Sequence, residues 1–278
     1  MFGVFLVSIG QFFTEISDSI IKDRGQRDES LLYALGFLQL IWGELIFLGI
    51  ALFKEGAFVF STAALPTFLV RAVLEILQSH FTLLSIIRAD RSSFGFIRVG
   101  TIPLLLLVDF LLAYTIKPTQ AAGVGLIVLC FLLIFAGKQV KKYGVGIVTF
   151  TALNAVATIS LFKYNISHFN SVVAEQLLMG AIIIAYFLGV LVLVQRRNPW
   201  QFLKNPVYLG QSFSSAASHV LDSYAYVFAP ASVILAAKRG AAVLWATISG
   251  NVYFRETHLL FKLAIAIMLT GGIVLLAV

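Results

Sequence analysis

The chain has little charge, almost no cysteine and no polar domain, and each shortage excludes a class of protein. Charged residues make up 12% of its 278 residues and hydrophobic ones 60%, where globular chains average about 25% and about 45–50%. With a mean hydropathy of +0.96, too little polar surface exists to coat a soluble particle of this size. The single cysteine, Cys130, excludes an intramolecular disulfide and a cysteine-cluster metal site. Its apolar neighbours make it a packing residue. His80, His168, His219 and His258 are scattered without metal-ligand spacing, so no metal is expected. No phosphate-cradling Gly-rich loop ending in Lys-Ser/Thr is present, which argues against ATP hydrolysis. A membrane enzyme would show paired His and Asp on a loop; the polar residues here sit inside apolar runs. Neither enzyme activity nor a cofactor is expected.

What is present is apolar sequence in long runs. Crossing a bilayer takes about 20 apolar residues per helix, so ten helices need about 200 and leave only short loops. Ten runs occur, at about 2–22, 32–53, 64–87, 92–116, 119–137, 143–163, 171–195, 202–229, 231–252 and 259–278. They are broken at Lys22–Arg27, Arg88–Arg91, Lys117-Pro118, Gly137–Lys142, Arg196–Pro199 and Arg255-Glu256. Barrel strands would alternate in polarity, and runs such as Leu104–Val108 and Gly180–Ala185 do not. The expected fold is an all-α integral membrane protein. Met1–Ile21 lacks a basic lead and a small-residue cleavage site, so it is expected to stay as the first span. A net charge of +7 and a pI of 9.6 could suggest nucleic acid. The cations are dispersed among spans and short loops, so the expected partner is the lipid bilayer instead.

A repeat runs through the two halves. Ser17-Asp-Ser-Ile-Ile-Lys22 closes span 1 and Thr158-Ile-Ser-Leu-Phe-Lys163 closes span 6, with the lysines 141 apart. Arg98 and Arg239 share that offset, and Ser79-His80 and Ser218-His219 lie 139 apart. Five spans per half is an odd number, which sets the halves, residues 1–138 and 139–278, in opposite membrane orientations. Ten helices as two inverted five-helix repeats are the architecture of many secondary transporters, with the substrate site near the midplane between the halves.

Ala231-Ser-Val-Ile-Leu-Ala-Ala-Lys-Arg-Gly240, Gly250-Asn-Val-Tyr-Phe-Arg-Glu256 and Gly271-Gly-Ile-Val-Leu-Leu276 carry a family likeness. Together with the ten short-looped spans, they resemble the drug/metabolite transporter superfamily, EamA-type branch, over nearly the whole chain. In that family a glycine-bearing ninth helix ends in an acidic residue and the last helix has a Gly-Val-Leu-like finish. The Lys238-Arg239 pair resembles the basic pair in the ninth helix of plastid-type sugar-phosphate translocators. One departure is the first half, which has Tyr114 or Lys117 where the fourth helix usually ends in Glu. The resemblance implies a multi-pass protein of the cell (inner) membrane, a monomer or homodimer. It implies a secondary transporter moving a small metabolite, with an anionic group, by alternating access. Two alternatives stand beside it: a proton-coupled exporter of cationic drugs or amines, and a non-transporting membrane enzyme or scaffold.

Charges inside the spans carry the site expectation, because a charge in the bilayer core costs about 2.5 kcal/mol or more and so faces protein or water. Glu15, Asp18 and Lys22 form one stripe on span 1. Arg71, Glu75 and Gln78 form another on span 3, where Arg71 and Glu75 can also satisfy each other as a structural pair. Span 4 carries Arg98, Thr101 and Asp109, and span 8 carries Gln211, Ser215, Ser218 and Asp222. These stripes predict a hydrated cavity between spans 1, 3, 4, 8 and 9. Two adjacent cations repel in low dielectric, so Lys238 and Arg239 call for an anion, with Asp109 or Asp222 as protein counter-ions. The expected substrate-binding set is Arg71, Arg98, Lys238, Arg239, Gln211 and Asp222. Glu15 and Asp18 are the expected proton-coupling carboxylates, Glu in the first helix with a following Lys being similar to small multidrug exporters.

Other expectations are minor. Glu175 and Lys163 are read as interfacial, and Asn165-Ile-Ser167 fits a glycosylation sequon. Pro103 is read as a kink in span 4. Lys and Arg concentrate in the loops after spans 1, 3, 5, 7 and 9, which places both termini outside the cytoplasm; the family it resembles is drawn with both termini inside.

Overall fold

The computed structural model describes residues 2–88, 97–98, 101–135, 145–254, 267–268 and 271–276. Among these residues there is no strand, and helices follow one another with short links. They are α1 (Phe2–Arg27), α2 (Leu32–Phe53), α3 (Leu65–Arg88), α4 (Thr101–Leu111), α5 (Pro118–Phe135), α6 (Val145–His168), α7 (Val172–Gly189), α8 (Pro206–Phe228) and α9 (Ala231–Phe254). Residues 271–276 are also helical. Most of the tenth expected span, with His258 and the Arg255-Glu256 break, lies outside the described residues, as do Arg91 and the Gly137–Lys142 break. Five stretches are long and apolar enough to cross a membrane: Phe2–Arg27, Glu29–Phe53, Thr62–Arg88, Gly146–His168 and Val172–Val194. Their outward faces carry bare hydrocarbon, with Leu52 70% and Phe53 91% exposed, a surface that suits a lipid surrounding.

Several ends differ from expectation for local reasons. Lys22–Arg27 was expected to break the chain, but α1 runs through it. Asp23 and Arg27 pair across one turn at 2.7 Å, and Gly25 lies so near Ile87 of α3 that a Cβ there would meet its Cγ1 at 2.5 Å. Burial of the extra turn and the i,i+4 pair hold it helical. Asp28 then ends the helix by accepting from the Ser30 backbone and hydroxyl, hydrogen bonds that hold its carboxyl below the usual range. α4 stops at Leu111, short of residue 116. Ala113 takes φ +56°, and the Ala113 and Tyr114 amides bond back to Phe110 and Asp109, a Schellman closure with alanine at the usual glycine position. The kink expected at Pro103 turns on the residues just before α4, and residues 99–100 lie outside the described residues. Ser171 caps α7 and Asn205 caps α8, with Pro206 as its first helical residue.

The helices interleave across the two halves. α1 packs on α8 and α9, α2 on α7 and α8, α3 on α6, and α4 on α9 and α6. α5 meets residues 271–276 through two glycines: a Cβ on Gly123 would stand 2.8 Å from the Gly272 carbonyl. Small residues let helix backbones approach this closely in lipid. α8 carries a row of polar residues, most of them spent on its neighbours. Ser215 and Ser17 share a 2.6 Å hydrogen bond, Ser218 and Thr14 one of 2.5 Å, and the Ser212 hydroxyl donates to the Leu38 carbonyl at 2.6 Å. α1 and α2 cover this polar side of α8, while Phe213, Val227 and Phe228 are exposed on its other surface.

Candidate functional site

The interleaved helices enclose a cavity of about 560 Å³. α1 contributes Glu15 and Asp18 to its wall, α3 contributes Arg71 and Glu75, and Arg98 stands in it too. From the second half come Asp222 of α8 and Lys238 and Arg239 of α9. Charges spread over the whole sequence thus share one space. α2, α6 and α7 also form walls, with Gln39, Thr158 and Gln176, none of which the stripe reasoning assigned. Each is an uncharged polar residue inside an apolar run, and that was the sequence signal for it.

Arg71 is the most firmly held cation. It donates to Glu175 and, at 3.3–3.4 Å, to Glu75, and its guanidinium lies 4.6 Å over the Phe162 ring. Glu175 is fully buried and also accepts from Asn170 Nδ2 at 2.6 Å. The interfacial reading of Glu175 is therefore corrected: its helix starts only three residues earlier, yet it turns inward to a buried cation. Lys163 is corrected likewise. It is 8% exposed, donates to the Tyr226 carbonyl at 2.7 Å and lies 5.5 Å from the Tyr114 ring. The Asn165 sequon is buried too, its side chain accepting from Thr67 at 2.7 Å, so it cannot take a glycan in this fold.

Lys238 donates to Asp222, whose other partner is the Ser218 hydroxyl at 3.5 Å. Asp109 is not a counter-ion in the cavity. It is 2% exposed and accepts the Ser232 amide at 2.7 Å, capping the N-terminus of α9 from α4. Gln211 does not line the cavity either: fully buried, it sits in the α1–α8 seam against Ser17 and Ser215.

Arg98 and Arg239, one from each half, lie within each other's field. Asp18 acts on both, and Glu15 on Arg239. Arg239 makes no ion pair or hydrogen bond among the described residues, and its Nε is buried without a partner. Glu15 accepts from Gln11 Nε2 at 3.3 Å. No group of His, Cys, Asp and Glu among the described residues has the geometry to hold a metal. The site is a mixed-charge cavity with two neighbouring arginines on its wall.

No family model matches the chain, and no curated protein matches it.

Proposed function

We propose that the chain is a secondary transporter for a small metabolite with an anionic group, working by alternating access. The observation that carries this reading is the meeting of Arg98 and Arg239, from the two halves, on the wall of one cavity. Two like charges brought together away from bulk water repel, and a bound anion relieves that repulsion. Asp18 reaches both arginines, so an anionic solute and Asp18 compete for the same cations. That competition links solute binding to the charge state of α1.

The helix contacts support the ten-span, inverted five-plus-five architecture of the superfamily it resembles. Exchanging first-half for second-half helices in order turns the α1–α8 contact into α6–α3 and the α1–α9 contact into α6–α4, both of which occur. α2–α7 and α4–α9 map onto themselves. The Gly123–Gly272 approach joins α5 to the segment that stands fifth in the second half. Such mutual packing suits a rocking motion of one repeat against the other around a fixed site. Export of cations or amines coupled to protons is the second reading, favoured by Glu15 and Asp18 on the same wall.

Uptake into proteoliposomes tests both, with a panel of phosphorylated sugars, amino acids and cationic drugs. An anion should accumulate, and Arg239→Gln should abolish its binding at unchanged thermal stability, because Arg239 has no hydrogen bond to lose. A protein that moves only cations overturns the anion reading.

A further inference from the structure

Glu44 stands near the middle of α2, 7% exposed, and neither carboxyl oxygen has a hydrogen-bond partner. Other buried carboxyls of the bundle have donors: Glu175 has Arg71 and Asn170, Asp109 has the Ser232 amide, and Asp222 has Lys238. α7 closes one side of Glu44 with Gly180, where any Cβ would overlap the carboxyl. On the other side is His219 of α8, its Nε2 4.0 Å from Oε1 and itself without a hydrogen-bond partner. The carboxyl does not reach the cavity, but the His219 ring lines it. His219 is thus the partition between a buried acid and the transport chamber.

Among the described residues, His219 is the titratable group that faces Glu44 from α8. α7 presents the backbone of Gly180, and no charge on α1 or α3 acts on the carboxyl. The ring in turn lies in the fields of Lys238 and Arg71. It packs edge-on to Phe47 at 5.7 Å, and beside it Gly43 leaves room that a side chain would fill.

A buried carboxylate without a donor is costly, and the neutral acid avoids most of that cost. We infer that Glu44 and His219 form a proton-binding pair in the cavity wall, the carboxyl holding the proton and the imidazole carrying it to and from the cavity. In the outward step the Glu44 O–H bond breaks and its proton joins the Nε2 lone pair of His219. The Nδ1–H proton then leaves to cavity water, so the ring ends as its other neutral tautomer and Glu44 as a carboxylate. The return step reverses each transfer. The 4.0 Å gap is about 1 Å longer than a hydrogen bond, which a swing of the ring toward α2 or one bridging water closes. The pair rests on the transport reading only for its use, as the place where proton movement meets solute movement.

The test needs no solute. Infrared difference spectra of the purified full chain, titrated across pH, read the C=O stretch of protonated carboxyls. A titrating band should be lost in Glu44→Gln, shifted in Glu44→Asp, and kept in Glu15→Gln. In His219→Phe the band should remain while its deuterium exchange slows several-fold. An unchanged band in Glu44→Gln, or in Glu44→Asp where the Gln variant does not fold, overturns the proposal. So does unaltered exchange in His219→Phe. Loss of the Glu44 band in a protein that moves no solute supports the pair and overturns the transport reading alone.

Discussion

Two Ser-His dipeptides, one in each half, meet opposite fates. In α3, His80 Nδ1 and the Tyr186 hydroxyl of α7 share a 2.8 Å hydrogen bond, with Tyr33 packed against the ring. In α8, His219 faces Glu44 of α2 across 4.0 Å with no hydrogen bond at either side. One histidine is a latch between helices, and the other is an open contact beside a cavity. Both histidines are half-buried; what separates them is whether the polar atoms are satisfied. A satisfied group holds the fold in one arrangement, whereas an unsatisfied one leaves energy to be released by a proton or a ligand.

Substitutions can break this contrast or sharpen it. The largest effect belongs to the most fully satisfied group. Arg71→Gln leaves Glu175 buried without its cation, and losing one partner of a buried pair costs about 3–5 kcal/mol. Unfolding in detergent should register that loss, and a variant of native stability would mean that satisfaction does not set the fold. A smaller effect follows at the open contact. Gly180→Ala drives a methyl into the Glu44 carboxyl and should cost about 1–3 kcal/mol by overpacking. Adding Glu44→Ala removes the clash and should restore most of it, a coupling that a double-mutant cycle measures directly. The smallest effect is at the latch. Tyr186→Phe should cost about 1 kcal/mol and leave the carboxyl band of Glu44 untouched. A change in that band would show the two histidines to be connected.

The helical, apolar character of the fold was legible from run length and composition alone. So was the company the charges keep: Glu15, Asp18, Arg71, Arg98, Asp222, Lys238 and Arg239 line one cavity, as helical spacing on separate spans implied. Partners were less legible, because they are made between helices far apart in sequence. Spacing within α3 showed Glu75 to Arg71, but nothing local showed Glu175. Asp109 fell on the stripe with Arg98 and Thr101, yet it is drawn away by the free amides at the start of α9. Gln211 shared its stripe with Asp222, yet its amide is taken up by Ser17 and Ser215. Asp222, by contrast, lines the cavity although Gly10 of α1 packs against it. Glu44 showed only as one charge in an apolar run. Its meaning comes from what is missing around it.

Order of synthesis gives the second carboxylate beside Arg71 a role of its own. α3 is synthesised well before α7, so Arg71 exists before Glu175 does. An arginine alone at that depth opposes insertion by about 2.5–3.5 kcal/mol. Glu75 is one turn away on the same helix, within 3.3 Å of the guanidinium, and is there as soon as α3 has formed. It gives the arginine a neutralising partner within one helix. When α7 arrives, Glu175 takes the remaining nitrogen and anchors α3 to the later half. The cation has a carboxylate beside it from the folding of α3 until the bundle closes around it.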